Sequence, residues 1–275
     1  MKTKLLILSG LILVSFYSCK KDSKDNSEIE TTFQLSENEA VGDYVTDDAN
    51  NVFFEVSTNE GLMGRSTQPI QTLNILTCAA VTVTPQNSFP KTMVIDFGTG
   101  CTSNGITRSG KINIVLSDSV RKSGSTAVFT FVNYIVQGYK IEGTITWTNT
   151  STQSSIGWQR KIENGKITGP NAYYWLHVGT KNVTQTAGMA TPFNLLDDVF
   201  SVTGTHTVTN AAGNSRSATV LEALEVKTIC GNVTKGTVKL EGPNHFAILN
   251  YGDGSCDRVA TISIDGQATH TILLP

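Results

Sequence analysis

The residues able to do chemistry in this chain are few and, apart from the cysteines, scattered. Five cysteines are present. Four of them fall in two similarly worded brackets. Cys78-Ala79-Ala80-Val81-Thr82 opens the first, which closes on Asp96-Phe97-Gly98-Thr99-Gly100-Cys101. Cys230-Gly231-Asn232-Val233-Thr234 opens the second, which closes on Asn250-Tyr251-Gly252-Asp253-Gly254-Ser255-Cys256. No two cysteines stand at the close spacing that zinc ligation uses, so oxidation to disulfides is the chemistry these four offer. Four cysteines allow three connectivities. The symmetry of the brackets favours Cys78–Cys101 and Cys230–Cys256, each stapling a β-hairpin.

The remaining polar chemistry is sparser. His177, His206, His245 and His270 stand singly, with no His pair at metal spacing and no Gly-x-Ser-x-Gly elbow anywhere in the chain. Each histidine reads as a core or turn residue, so no catalytic residue, metal or cofactor is expected. Asp96, Glu142, Asp197, Asp198, Glu222, Glu225, Asp253 and Asp257 supply carboxylates, but a hydrolytic pair is defined by distance in space rather than by spacing. Asp253-Gly254-Ser255-Cys256-Asp257 has the flavour of a calcium loop without its distal Glu, and is read as a tight turn. Aromatics are the better lead. Trp147, Trp158, Tyr173, Tyr174 and Trp175 fall close together on neighbouring strands. Trp147 and Trp158 alternate with polar residues and are expected to face inward, whereas Tyr174 has the parity to point out. Tyr174, Trp175 and Phe193 are the ligand-binding candidates, with a glycan stacking on exposed rings as the ligand class.

The elements that must position these groups follow from periodicity. Ser36-Glu37-Asn38-Glu39 has the form of a capping box. Val41, Val45, Ala49, Val52, Phe53 and Val56 follow at spacings of three and four, which predicts an amphipathic helix over 37–58. Gly42 weakens it by about 1 kcal/mol relative to Ala. From Leu73 onward the period is two, with turn signals at Ser123-Gly124, Gly138, Asn164-Gly165, Gly242-Pro243 and Asp265-Gly266. No helical pattern separates the strands, so the sheet is antiparallel. The expected fold is all-β: an antiparallel meander forming a curved open sheet, half-barrel or sandwich, with one N-terminal amphipathic helix. Gly143-Thr144-Ile145-Thr146-Trp147-Thr148-Asn149 is echoed by Gly204-Thr205-His206-Thr207-Val208-Thr209-Asn210. With the two brackets, this echo suggests an internal duplication of about 75–150 and 195–270, and it places His206 facing inward like Ile145. Residues 187–199 are too apolar for a free loop and are expected to plug or cover one end of the sheet.

Charged residues make up 16% of the chain and the formal charge is −2, which excludes the basic footprint of a nucleic-acid binder. Lys2 and Lys4 precede an apolar run from Leu5 to Ser18 that suits a secretory signal and is too short to span a bilayer. The run ends in Ser15-Phe16-Tyr17-Ser18-Cys19, which resembles a bacterial lipobox, although Phe16 stands where Leu is preferred. The resemblance implies a signal peptide over 1–18 and lipid attachment at Cys19. A flexible tether over 19–35 and a single β domain over 36–275 are then expected. Asp118-Ser119-Val120 resembles a Bacteroidota O-glycosylation site. The lipobox, the bracket motifs and the Gly-Thr-x-Thr-x-Thr-Asn strands together resemble a family of uncharacterised Bacteroidota envelope lipoproteins. That likeness implies an outer-membrane, cell-surface or periplasm-facing location and carries no activity. The leading expectation is a non-enzymatic lipoprotein held to the membrane by its lipid and binding a glycan, a surface protein or another envelope component. A carrier of an apolar ligand would need a concave sheet face too wide for the helix to fill. A hydrolase would need His177 or His206 beside a carboxylate in an open cleft.

Overall fold

Period-two strands joined by tight turns build one antiparallel meander. The computed structural model describes residues 21–64 and 69–275; the expected signal peptide over 1–18 and Cys19 lie outside the described residues. A single long helix, α1 (Lys21–Asn59), comes first. It is followed by β1 (Ala80–Thr84), β2 (Lys91–Asp96), β3 (Cys101–Ser103), β4 (Ile106–Leu116), β5 (Thr126–Val136), β6 (Tyr139–Asn149) and β7 (Gly157–Thr168). After β8 (Tyr174–Ala187) come β9 (Val199–Asn210), β10 (Ser215–Lys227), β11 (Val233–Glu241), β12 (Phe246–Asp253), β13 (Val259–Ile264) and β14 (Thr269–Leu273). Every strand pairs antiparallel with its neighbour in sequence, save that β2 passes over the short β3 to pair with β4. The result is one open sheet with β1 and β14 as its edges. Among the described residues no helix is long and apolar enough to cross a membrane.

The sheet curls around α1. From Gly42 to Thr58 every residue of the helix is buried, on its polar face as much as on its apolar one. Phe53 meets Phe129 of β5 and Trp147 of β6, while Phe54 reaches Trp158 of β7 and Phe200 of β9. Trp147 and Trp158 do face inward, 2% and 3% exposed. The curl is made at mid-strand bulges, which bend and coil a sheet. Gly143 (φ 108°) and Gly204 (φ 137°) sit at two such points, where a Cβ would lie 2.5 Å from the Asn164 carbonyl oxygen and 2.3 Å from that of Thr180. Only glycine allows strands to approach so closely in that conformation.

Several expectations are corrected here. The helix spans 39 residues rather than 37–58, beginning at Lys21. Residues 21–35 are therefore helical instead of a free tether, and Thr32 and Leu35 are fully buried. Ser36 lies inside the helix, not at its cap, and its hydroxyl donates back to the Thr32 carbonyl at 2.8 Å. Asn164-Gly165 forms no hairpin turn; it lies within β7, next to the bulge that shifts the register between Ile162 and Lys166. Asp265-Gly266 does turn the chain, with φ of 51° and 71°. Both stapled hairpins form, β1–β2 closed by Cys78–Cys101 and β11–β12 by Cys230–Cys256, with Cα separations of 5.6 and 5.2 Å. The duplication does not hold. The strand echo recurs after 61 positions (Gly143 to Gly204) and the bracket after 152 (Cys78 to Cys230), and no single duplication gives both. The shared Gly-Thr pattern reflects a shared local task, a bulge glycine followed by a two-faced strand.

Gly42 has a packing reason. A Cβ built there would lie 2.7 Å from Nε2 of His177, so the histidine ring rests directly on the helix backbone. Gly42→Ala should therefore lower stability by about 1–3 kcal/mol through overpacking, despite the roughly 1 kcal/mol that helix propensity favours Ala. Urea unfolding midpoints measure the sign.

Candidate functional site

The polar face of α1 is paired group by group with the sheet. On the β4–β5 side, Asp48 is forked by the Arg108 guanidinium and accepts the Tyr134 hydroxyl at 2.7 Å. Asp47 meets Arg160 of β7 at 2.5 Å. One turn earlier, Asp43 binds the Lys181 ammonium of β8 and accepts the Tyr251 hydroxyl of β12 at 2.9 Å. Another turn earlier, Glu39 lies 2.9 Å from Nε2 of His177, 3.1 Å from Nδ1 of His206 and 3.4 Å from Nζ of Lys181. The four carboxylates stand at i, i+4, i+8 and i+9, so successive turns of one helix face meet basic, histidine and tyrosine side chains drawn from several strands.

Burial sets the proton inventory. It raises the cost of ionising Glu39, yet Lys181, His206 and His177 together hold that carboxyl well below its ordinary value. Burial, followed by Lys181 and His177, pushes His206 down to about 4, so its ring is neutral. For Lys181 burial opposes the charge, and Asp43 and Glu39 outweigh it and raise its pKa. Burial of Asp47 wins over Arg160 and raises that carboxyl.

This cluster meets half of what a hydrolase requires. Both histidines have a carboxylate partner, but His177, His206, Glu39, Asp43 and Lys181 are all at most 2% exposed and open to no cleft. Glu39, Asp43, His177 and His206 also bring donor atoms within 4.8 Å of one another, a set a divalent metal could use. The Lys181 ammonium already bonds both carboxylates there, so the donors' negative charge is met from within the chain.

The sequence candidates for ligand binding are dispersed. Tyr174 is part-exposed under the Lys166 ammonium, 4.7 Å from its ring centre. Trp175 is buried, 2% exposed, against Tyr139 and Tyr173. Phe193 is buried beneath the Arg121 guanidinium, 5.0 Å away. The three do not form one platform. Tyr173 precedes β8 and is exposed, like Tyr174. His245 pairs with Asp265 at 2.6 Å, and His270 packs edge-on against Phe33. Asp253 accepts from the Ser255 amide and hydroxyl, which makes its loop a turn. The Ser119 hydroxyl donates to the Leu62 carbonyl at 3.3 Å.

A pocket the sequence did not single out lies where α1 ends. It has a volume of about 320 Å³ and is walled by Phe54, Trp147, Trp158 and Phe200, with Met189 and Pro192 of the 187–199 segment beside them. That segment does cover one end of the sheet, with Phe193 and Leu195 buried. Among the described residues the pocket's lining holds one acid, Asp198, and one base, Arg121. Burial, aided by Asp197, pushes the Asp198 carboxyl up to about 7, and Gln185 donates to it at 2.7 Å. An apolar pocket with a few converging polar groups and a displaced pKa is the usual form of a small-ligand site.

Two outcomes test the network. Lys181→Met strands two carboxylates in the interior and should cost about 3–5 kcal/mol in urea unfolding. His206 takes a proton in the unfolded chain near 6.5 but in the folded one only near 4. Stability should then fall as pH drops through that window, by about 2 kcal/mol at pH 5 from this group. Glu39, whose folded pKa is depressed, adds to the loss at still lower pH, and Asp47 acts in the opposite sense. Replacing His206 with Gln should flatten the dependence between pH 7 and 5, measured by denaturant midpoints.

Compared with protein-family models, curated proteins and solved structures, the chain matches none. Its likeness to envelope lipoproteins therefore rests on the motifs quoted from its sequence.

Proposed function

We propose that this chain is a lipid-anchored, non-enzymatic binding protein of a bacterial cell envelope, and that its ligand is a small amphiphile with an anionic head. The pocket between Trp147, Trp158 and residues 187–199 carries this reading. The apolar run before Cys19 supports an exported, acylated chain, and the two disulfides suit an oxidising compartment. The concave face of the sheet is occupied by α1, so a carrier would use the end pocket rather than the sheet's hollow. An apolar body fits among the four aromatic walls. Arg121 offers the head a cation, while Asp198, half protonated near neutral pH, adds a donor and little negative charge.

Dodecanoate is a suitable probe, read by native mass spectrometry and by fluorescence of Trp147 and Trp158. A single saturable site is expected, weakened at least tenfold by Arg121→Met. Affinity should fall as pH rises through 7, because ionised Asp198 repels the carboxylate, and Asp198→Asn should remove that fall. Absence of a retained adduct, or binding indifferent to Arg121, would refute the assignment.

A further inference from the structure

The far end of the molecule holds a second concavity, next to an unprotected sheet edge. β14 is the last strand and has no partner on its outer side among the described residues. Natural edge strands are blunted by charge, proline, bulges or a covering segment. β14 reads Thr269-His270-Thr271-Ile272-Leu273, with no charged residue, no proline and no shift in its register against β13. The Leu274 amide donates to the Arg258 carbonyl at 2.9 Å. Antiparallel alternation then turns the backbone groups of Ile272 and His270 toward β13, and those of Leu273, Thr271 and Thr269 away from it. Leu273 is 79% exposed.

Beside this edge lies a cleft of about 650 Å³. It is bounded by residues 270–275, by Tyr139 and Tyr173 at two strand turns, and by Phe33 and Glu37 of α1. Among the described residues its lining contains no Lys or Arg, and Glu37 is its one carboxylate side chain. We propose that β14 and this cleft form a docking site for an extended peptide segment of a partner protein, one that is neutral or basic with apolar residues at alternate positions. The segment adds a strand to β14 through the outward groups of Thr269, Thr271 and Leu273. Side chains on one of its faces enter the cleft against Phe33, Tyr139 and Tyr173, and the Glu37 carboxylate selects against acidic sequences.

The test is panning of a random dodecapeptide phage library against the full, oxidised chain, followed by titration of selected synthetic peptides. Selected sequences should alternate apolar and polar residues and lack acids. Thr271→Pro removes one outward amide while leaving the β13–β14 ladder intact, a place where proline is tolerated. It should cut peptide affinity at least tenfold with circular dichroism unchanged, and dodecanoate binding should not move. Failure to enrich any peptide, or equal binding to Thr271→Pro, would overturn the proposal. A concentration-dependent dimer that Thr271→Pro dissolves would overturn it in favour of a second copy of this chain, and glycan binding lost on Tyr173→Ala in favour of a sugar.

Discussion

Charge complementarity between α1 and the sheet is the constraint on which the rest of the molecule depends. Between Asn26 and Asn59 the chain carries eight carboxylates and no Lys or Arg. The inner face of the sheet returns Arg108, Arg160, Lys181 and Arg216. Taking such pairs out of water costs about as much as their attraction returns, so they add little net stability over apolar residues of the same size. Their effect is on register. One residue of slippage turns an α-helix by about 100° and would set Glu39, Asp43 and Asp47 against aromatic or aliphatic walls, leaving buried charges unpaired. A purely apolar rod inside a curled sheet would have many near-equal rotations. This one has a single setting, which also fixes the contact of His177 on Gly42 and of Phe53 and Phe54 on the tryptophans.

The same constraint explains which parts of the fold were legible. Strand alternation found the sheet, the inward tryptophans and inward His206, because half-buried strands obey the rule that apolar means inside. Bracket symmetry found both disulfides. The helix was misjudged because that rule fails for an element jacketed all round. Its polar face reads as solvent-exposed, so Ser36 and Glu39 resembled a cap rather than two interior residues, and the acid-rich stretch from Glu28 looked free. A signal was available. Arg160 lies in phase with Trp158 and Ile162, and Lys181 in phase with His177 and Val183. Basic residues at inward positions of several strands, beside a helix with acids and no bases, together announce a buried ionic seam.

Reactive-looking groups and accessible groups have separated in this molecule. The His–carboxylate contacts that acid–base chemistry uses are present at Glu39, but the helix and sheet seal them and Lys181 neutralises the carboxylates. The pocket at the other end has the reverse character, open and apolar, with one displaced carboxyl at Asp198. The sequence could not supply that pocket, because its walls come from α1, the four neighbouring strands β6–β9 and the 187–199 segment. No local spacing records that convergence.

Helix length gives the two concavities their geometry. A helix rises 1.5 Å per residue, so Phe33 at the cleft and Phe54 at the pocket stand roughly 30 Å apart along α1. The cleft lies against the middle of the helix, at Phe33, Glu37 and Val41, and the pocket lies near its C-terminal end, beside Phe54. The ionic seam, by locking the helix in one setting, fixes how the two concavities are spaced from each other.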